Sequence, residues 1–296
     1  MTPAEATNWA RSVGLELRYG ADLARLAAAE TPFVRLDVDT AAAEYIARSR
    51  AARHGLFKTW LHRCLRSLFS DFDVNGLLGT YPMHVLSTQQ WRALLSPLMD
   101  PDPSAHAAPD RRWGRLLDIG AGRGDATSQL ARLFDHTTVT ETSAPMARRL
   151  RKLGFECIEE DVAASTRWTH DFDAVSLLNV LDRCDNPMSL LGAARSALRP
   201  GGVLVVALVL PYSPFVYDHG KPRAPRQRLP IVSQSFEVAA AEFVTMSLVP
   251  LGLRMVSLSR APYLSGGDAR APLYELDDLI AVCQAQDAIP IVGSDL

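Results

Sequence analysis

Between residues 116 and 125 the chain reads Leu-Leu-Asp-Ile-Gly-Ala-Gly-Arg-Gly-Asp, an apolar run that ends in an acid and continues into a glycine-rich turn. A segment with helical spacing follows from Ala126 to Leu133. A strand, a tight turn and a helix start form the layout in which a backbone approaches a nucleotide closely. A second acid, Glu141, closes the next strand-like run, and a carboxylate there can accept hydrogen bonds from two ribose hydroxyls.

The spacing of the glycines distinguishes two classes of cofactor. A dinucleotide-binding turn has its third glycine in the sixth position, where it allows helix and strand to pack closely. Here the glycines are Gly120, Gly122 and Gly124, and the sixth position is Asp125, which argues against a nicotinamide-dependent oxidoreductase. S-adenosylmethionine (SAM) has no pyrophosphate, and Asp118 with the amides of the turn can hold its amino and carboxylate groups. The pattern resembles the first motif of SAM-dependent methyltransferases.

Strand-like and helix-like segments alternate from Gly114 onward, which is typical of a parallel sheet with helices on both faces. Strands are predicted near 115–119, 137–141, 155–158, 173–178 and 203–209, and helices near 124–134, 144–152 and 187–198. The segments Leu253–Leu258 and Leu273–Val282 are expected to close the sheet as a hairpin. The predicted fold is a seven-stranded, Rossmann-like α/β fold of the class I SAM-dependent methyltransferases with an N-terminal helical extension.

Composition and periodicity divide the chain into three parts. Residues 1–96 have apolar side chains at helical spacing, as from Thr40 to Phe69, and are expected to form a helical extension that packs on the cleft. Residues 97–113 are rich in proline, aspartate and alanine, which predicts a linker. Residues 114–296 are the predicted methyltransferase domain. Within it, the basic, proline-rich segment Tyr212–Pro230 is either a solvated loop or a flap over the substrate entrance.

Bulk composition bears on partners and location. The 296 residues are 48% hydrophobic and 22% charged, with a net charge of −2, so electrostatics give no reason to expect nucleic acid or an anionic membrane as a partner. The four cysteines are widely spaced and form no C-x-x-C pair, so neither a metal site nor a disulfide framework is predicted. The longest apolar run, Val203–Leu210, is too short to span a bilayer. No signal pattern occurs at the N-terminus, and a cytoplasmic location is expected, although an organelle is also compatible.

Polar residues follow the predicted strands at the edge where ligands of open α/β sheets bind. Asp161 and Val162 follow the third strand, where a methyltransferase holds adenine by a polar contact and an apolar wall. The predicted cofactor-binding residues are Asp118, Gly120, Ala121, Gly122, Glu141, Thr142, Asp161, Val162 and Asn179.

The fourth strand leads into residues expected at the mouth of the cleft, where the transferred methyl group lies. Asn179 ends this strand, and Asp182, three residues further on after an apolar pair, would face the substrate. The alternative for Asp182 is a role as a loop-capping acid. Asp185 or Asn186, which precede Pro187, are expected to cap the next helix.

Several further motifs resemble the DREV family of methyltransferase-like proteins, whose activity is methylation of protein histidine on the pros nitrogen of imidazole. The motifs, which cover most of the chain, are Asp73–Gly79 (DVNGLLG), Leu117–Gly124 (LDIGAGRG), Asn179–Pro187 (NVLDRCDNP), Ala207–Pro214 (ALVLPYSP), Arg260–Asp268 (RAPYLSGGD) and Leu276–Asp278 (LDD). The resemblance implies SAM as cofactor, with S-adenosylhomocysteine as product. It also implies that Asn179, Asp182 and Tyr263 contact the target imidazole of a His-x-His peptide in which x is small.

The mechanism expected for such a reaction follows from imidazole chemistry. A neutral imidazole has one N–H and one lone pair, and its ordinary pKa of about 6.5 leaves a useful neutral fraction at neutral pH. If Asp182 accepts a hydrogen bond from the distal N–H, the proximal nitrogen is free to attack, while Asn179 and Tyr263 orient the ring. Without the resemblance, the position of Tyr263 after a predicted strand would indicate packing in a lid. The alternative functions are methylation of a small imidazole compound and a catalytically silent scaffold; a monomer is expected.

Overall fold

The computed structural model describes residues 1–26, 32–51, 82–99, 112–165, 167–218, 221–267 and 271–286. The α-helices in these ranges are α1 (Pro3–Ser12), α2 (Leu23–Leu26), α3 (Thr40–Ala51), α4 (Thr88–Met99), α5 (Asp125–Leu130), α6 (Ala144–Lys152), α7 (Pro187–Ala197) and α8 (Phe236–Phe243). The strands are β1 (Met83–His84), β2 (Trp113–Ile119), β3 (Phe134–Thr140), β4 (Glu156–Ile158), β5 (Phe172–Leu178), β6 (Leu198–Val209), β7 (Val216–Asp218), β8 (Lys221–Arg223), β9 (Leu253–Gly266) and β10 (Leu273–Ala285). Short 3-10 segments cover Ala131–Leu133, Val162–Ala164 and Val249–Leu251, and a π-helical segment covers Val244–Leu248. None of the helices in the described ranges is long and apolar enough to cross a membrane.

One mixed sheet with the order β1-β9-β10-β6-β5-β2-β3-β4 organises the described residues. Strands β6, β5, β2, β3 and β4 are parallel, whereas β10 is antiparallel to both β6 and β9. The strand order reverses at β2, and such a switch point leaves a crevice at the carboxyl ends of the strands. The predicted Rossmann-like methyltransferase fold is therefore confirmed. The strand β1 adds an eighth strand to the seven predicted. It was not predicted because its two residues are too few to give a periodic pattern.

Neighbouring residues of the central strands pack into opposite faces of the sheet. Leu117 of β2 and Val175 of β5 belong to the core that includes α7 and α8, while Leu116 and Ala174 belong to the core that includes α4 and α5. All four side chains are fully buried. Because side chains alternate along a strand, a strand that is buried on both faces is apolar at nearly every position. This double burial explains the apolar run that precedes Asp118.

The glycine-rich turn between β2 and α5 depends on a left-handed backbone. Gly120, Gly122 and Gly124 have φ angles of +72°, +55° and +79°, a region that glycine enters without steric penalty. The backbone amides of Gly120 and Ala121 donate to the carbonyl of Thr140 at the end of β3, at 3.0 and 3.1 Å. The turn is therefore attached to both β2 and β3, the strands on one side of the switch point.

The C-terminal hairpin occupies the predicted position, but its strands are longer. β9 and β10 extend past the predicted ranges Leu253–Leu258 and Leu273–Val282. The extension of β9 pairs with β1 on one side and with β10 on the other. Tyr263 therefore lies within a strand, opposite Leu276, and the expectation that it follows a strand is wrong. The cause is a pairing with a distant segment, which local sequence does not reveal.

The basic, proline-rich segment is an ordered part of the fold where the structure describes it. β7 and β8 form a two-stranded sheet, and Tyr212 and Leu229 on either side of it are buried. Arg223 donates two hydrogen bonds of 2.7 Å to the carboxylate of Asp185. Asp185 therefore anchors this segment, while Asn186 is the N-cap residue of α7 and makes no side-chain capping bond.

Residues of the predicted N-terminal extension contribute to the same sheet and core. β1 pairs with β9, and Ile46 of α3 packs with Leu264 and Leu273 of the hairpin. Helix α4 includes Pro97, at which the linker is predicted to begin. The motif Asp73–Gly79 and most of the predicted linker lie outside the described residues. The division of the chain into three parts therefore stays a prediction.

Replacing Gly124 by alanine is expected to destabilise the protein. Its φ of +79° is unfavourable for a side chain, and a Cβ atom would lie 2.8 Å from Leu150 Cδ2. We expect the free energy of unfolding to fall by about 1–3 kcal/mol, measured by urea denaturation. Gly192→Ala is the control, because Gly192 lies in α7 with open space around it, and alanine there should stabilise by about 0.5–1 kcal/mol. Equal effects of the two substitutions would contradict a steric requirement for glycine at position 124.

Candidate active site

Two adjoining cavities lie at the carboxyl ends of β2, β3 and β5. The Glu141 cavity, of about 520 Å³, is lined by Glu141 and Asp161 among others. The Asp182 cavity, of about 280 Å³, is lined by Asp118, Asp182 and Tyr263 among others. The residues that line both cavities are Gly120, Gly122, Met146, Asn179 and Arg183. The predicted cofactor-binding and catalytic residues therefore meet around one crevice, in the position expected for an open α/β sheet.

Asp118, near the end of β2, is buried and hydrogen-bonded on both oxygens. Its Oδ2 accepts from Thr127 Oγ1 of α5, and its Oδ1 accepts from Ser176 Oγ of β5, both at 2.6 Å. Burial raises the pKa of Asp118 to about 6, although the two hydrogen bonds oppose the shift. A carboxylate oxygen can accept more than one hydrogen bond, so Asp118 can also bind an amino group in the Asp182 cavity.

Glu141 is held at the end of β3 by backbone amides. Its Oε2 accepts from Gly122 N at 2.8 Å, and its Oε1 accepts from Ser143 N at 2.9 Å. The Oγ1 of Thr142 lies 3.5 Å from Oε1. A Cβ atom on Gly122 would contact only Gly120 O, at 4.0 Å, so the space above the turn is open to a ligand. The arrangement fixes a carboxylate beside an open space, as the binding of ribose hydroxyls requires.

The other predicted cofactor residues lie on either side of the turn. Asp161 lines the Glu141 cavity, and its Oδ1 accepts from Ala163 N at 3.0 Å, which caps a 3-10 segment. Val162 lines the same cavity and is buried. These two residues offer the polar contact and the apolar wall that are predicted for adenine. Ala121 lies in the Asp182 cavity.

Asn179 lies where the two cavities meet. Its φ of 57° is uncommon for a residue with a side chain, although asparagine tolerates it better than most, and such conformations cluster at functional sites. Its backbone N–H donates to Ala207 O of β6 at 2.9 Å. Its Nδ2 donates to Asp278 Oδ2 of β10 at 2.7 Å. Its Oδ1 is buried and has no hydrogen-bond partner among the described residues.

Asp182 is buried in the loop that follows β5, with 2% of its surface exposed. Its Oδ2 accepts a hydrogen bond from Arg183 Nη1. Its Oδ1 is buried and finds no partner in the part of the chain that the structure describes. Burial raises the pKa of Asp182 to about 6, and Arg183 opposes this shift. Because an unpaired buried carboxylate oxygen is unfavourable, Oδ1 is suited to accept a hydrogen bond from a ligand, which favours the substrate-facing role over loop capping.

Tyr263 of β9 lines the Asp182 cavity as part of the sheet. Its hydroxyl contacts Met83 Sδ of β1. Burial raises the pKa of the Tyr263 hydroxyl, and the nearby carboxyl groups of Asp278 and Asp182 raise it further. The side chain is therefore a neutral phenol that can donate or accept a hydrogen bond at the cavity wall.

Four residues that were not predicted to belong to the site also bear on it. Asp278 binds the amide of a predicted catalytic residue. Met83 N of β1 donates to Asp125 Oδ2 at 3.1 Å, and Arg123 Nε donates to the same oxygen at 2.8 Å. The first contact joins the edge strand to the glycine-rich turn, and the second holds the Asp125 carboxylate within the turn. The position of Asp278 directly before the apolar run Leu279–Cys283 was a usable signal in the sequence, whereas Met83 gave none.

The residues present fit SAM. Glu141 offers a carboxylate at the ribose position, Gly122 leaves space above the turn, and Asp118 offers acceptors for an amino group. Together with the strand order, these features are those of a class I SAM-dependent methyltransferase. The chain belongs to the DREV methyltransferase family, whose sequence model matches residues 20–285. The resemblance and the prediction of SAM as cofactor are thereby confirmed.

Other relatives match a smaller part of the chain. A ubiquinone biosynthesis O-methyltransferase of Xanthomonas oryzae pv. oryzae is 29% identical over 107 residues, which are 33% of this chain and 44% of that protein. A trans-aconitate 2-methyltransferase of Deinococcus radiodurans is 32% identical over 122 residues, which are 39% of this chain and 43% of that protein. The chain thus spans less than half the length of these curated relatives. Among solved structures, the N-methyltransferase NodS from Bradyrhizobium japonicum in complex with S-adenosylhomocysteine has a TM-score of 0.41 and 17% identity, over 67% of this chain and 87% of that one.

Glu141→Ala is expected to weaken the binding of S-adenosylhomocysteine. The substitution removes the acceptor for the ribose hydroxyls and releases the amides of Gly122 and Ser143. We expect the dissociation constant, measured by isothermal titration calorimetry, to rise about 10- to 100-fold. The control is Glu156→Ala on β4, where the carboxylate accepts from Thr138 Oγ1. An equal loss in the two variants would show that Glu141 acts only through the fold.

Asp182→Asn is expected to change stability in a pH-dependent way. Burial raises the pKa of Asp182 from 3.8 to about 6. Between these values the folded protein binds more protons than the unfolded chain, so its free energy of unfolding falls as the pH rises. Asparagine does not titrate. The difference in free energy of unfolding, variant minus wild type, should therefore increase by about 1 kcal/mol from about pH 5 to about pH 7.5, as measured by urea denaturation. The same stability difference at both pH values would contradict burial of an ionised Asp182.

Proposed function

We propose that this protein is a SAM-dependent methyltransferase that methylates the pros nitrogen of histidine in His-x-His segments of proteins, acting as a monomer. The observation that carries the proposal is the pair of unpartnered oxygens, Asn179 Oδ1 and Asp182 Oδ1, buried in the described part of the site. Both residues line the Asp182 cavity, next to the turn that fits the cofactor. The family resemblance supplies the choice of an imidazole as the acceptor.

Asp182 would select the nitrogen that reacts. SAM supplies an activated methyl group for an in-line displacement. The Oδ1 of Asp182 accepts the N–H of the distal nitrogen, and this tautomer leaves the lone pair of the pros nitrogen free to attack. The lone pair forms the new N–C bond, and the electrons of the broken C–S bond remain on sulfur. Near-attack positioning supplies much of the rate, since the methyl group is already activated.

The same carboxylate would stabilise the charge that the reaction creates. Methylation converts the neutral imidazole into an imidazolium, whose remaining N–H points at Asp182. An ionised carboxylate in a buried site stabilises this cation strongly and then accepts its proton. The pKa of Asp182, raised to about 6, leaves it ionised at neutral pH. Arg183, bound to the other oxygen of this carboxylate, holds Asp182 in place.

Asn179 and Tyr263 would orient the ring from two other directions. Asn179 is placed by β6 and β10, and Tyr263 is placed by β9. Met83 and Val85, from the N-terminal part of the chain, also line the Asp182 cavity. Their presence supports a peptide acceptor that contacts this segment where it borders the Asp182 cavity.

Asp182→Asn is expected to retain cofactor binding and to lose most turnover. The test measures transfer from labelled SAM to a short peptide that contains Ala-His-Gly-His, with mass-spectrometric assignment of the modified nitrogen. The amide cannot take the proton or balance the charge, so we expect kcat to fall at least about 100-fold, with the dissociation constant for SAM within about 3-fold of wild type.

The peptide with both histidines replaced by alanine is the control for the acceptor. Unchanged turnover in Asp182→Asn would remove the role of Asp182 as tautomer-selecting base. Modification of a free histidine dipeptide but not of the longer peptide would favour the small imidazole as substrate. An absence of transfer to any histidine compound, with SAM binding intact, would favour the scaffold.

A further inference from the structure

Asp278 is a buried acid with a specific contact and no part in the mechanism described above. It is fully buried in β10, between Val209 of β6 and Ala261 of β9. Its Oδ2 accepts from Asn179 Nδ2 at 2.7 Å. It does not line either cavity described above, so it lies one layer behind the residues that face the substrate.

We propose that Asp278 is a positioning residue that orients the side-chain amide of Asn179 toward the methyl acceptor. The inference rests on the proposed function, because it assigns the Oδ1 of Asn179 to the same reaction. Asp278 acts through Asn179 and does not itself touch the substrate.

The two ends of the asparagine amide differ in chemistry but hardly in shape. One end donates hydrogen bonds and the other accepts them. An acceptor oxygen of Asp278 at 2.7 Å requires that Nδ2 faces it. The Oδ1 of Asn179 is then the end left for the crevice, where it is buried and unpartnered among the described residues. Without Asp278, rotation by a half turn would present an N–H donor, which repels the positive charge of the SAM sulfonium.

The backbone alone does not determine this orientation. The φ of 57° and the bond from Asn179 N to Ala207 O fix where the side chain starts. They leave the last torsion of the amide free, since this torsion is broad and roughly two-fold in asparagine. The hydrogen bond to Asp278 distinguishes the two orientations of the Asn179 amide.

A purely structural role does not account for an acid at this position. Carboxyl groups are rarely fully buried, and an apolar residue would fill a central strand without the penalty of desolvation. The neighbouring Asp277 has an ordinary structural role, because it forms an ion pair with Arg260. Burial raises the pKa of Asp278 well above its usual range. The hydrogen bond from Asn179 opposes this shift of the pKa.

The test compares Asp278→Ala and Asp278→Leu, which remove the acceptor, with Asp278→Asn, which keeps it. In the peptide assay we expect kcat to fall about 10- to 100-fold in the first two variants, with KM for the peptide and the dissociation constant for SAM within about 3-fold of wild type. Asp278→Asn should recover most of kcat. Asp277→Asn is the matched control on the same strand, and its kcat should equal that of wild type.

A double-mutant cycle separates positioning from general destabilisation. If Asp278 acts through Asn179, the variant that combines Asn179→Ala with Asp278→Ala should be no slower than Asn179→Ala alone. The proposal would be overturned if the two single-variant losses of kcat multiplied in the double variant. It would also be overturned if kcat for Asp278→Asn were as low as that for Asp278→Ala.

A spectroscopic measurement keeps this inference separate from the proposed function. In a nitrogen-15 spectrum of the side-chain amides, the signal of Asn179, assigned by its loss in Asn179→Ala, should have a downfield proton that exchanges slowly. The shift and the protection should disappear in Asp278→Leu and persist in Asp278→Asn. If the wild type methylates no histidine peptide, the proposed function fails while this readout still decides whether Asp278 orients the amide. An Asn179 signal that is unchanged in Asp278→Leu overturns the inference, whatever the activity.

Discussion

The buried carboxylate of Asp118 joins the three elements that form the crevice. It belongs to β2 and accepts hydrogen bonds from Thr127 of α5 and Ser176 of β5. An unpaired polar group at this depth costs about 1–3 kcal/mol or more, so both hydroxyl donors are needed for the acid to be buried. The side chain of Asp118 thus holds α5, which follows the glycine-rich turn, and β5, which lies across the switch point. The position of the turn relative to β5, and with it the width of the crevice, depends on this contact.

The polar groups on the other side of the crevice are arranged differently. Asp182 and Asn179 each keep one buried side-chain oxygen that has no partner in the described residues. Natural sites often depart from full hydrogen bonding where a ligand completes it. The free energy that is lost in the unliganded protein is regained when a donor binds. The crevice therefore has a satisfied half, built on Asp118 and Glu141, and an unsatisfied half, whose unpartnered oxygens are complementary to a hydrogen-bond donor.

Local signals were sufficient to predict most of the sheet and most of the residues that line the cavities around the glycine-rich turn. The Gly120 turn, the acid at its start and Glu141 depend on residues that are neighbours in sequence. The strand β1, the extension of β9 that carries Tyr263 and the contact of Asn179 with Asp278 could not be predicted in this way. Each of these depends on pairing between distant segments, and the last joins residues 99 positions apart. Periodicity carries no information about such pairs, because it reports only which face of an element is buried.

The raised pKa of Asp182 also bears on the kind of acceptor. An imidazole with a pKa of about 6.5 is neutral in part at pH 7, and a carboxylate with a pKa of about 6 is well matched to take its proton. A lysine amine has a pKa of about 10.4, so transfer of its proton to Asp182 would be unfavourable by roughly 4 pKa units, or about 6 kcal/mol. In the proposed reaction, such a carboxylate favours a weakly basic nitrogen over an ammonium group, and the preference follows from proton affinity rather than from the shape of the cavity.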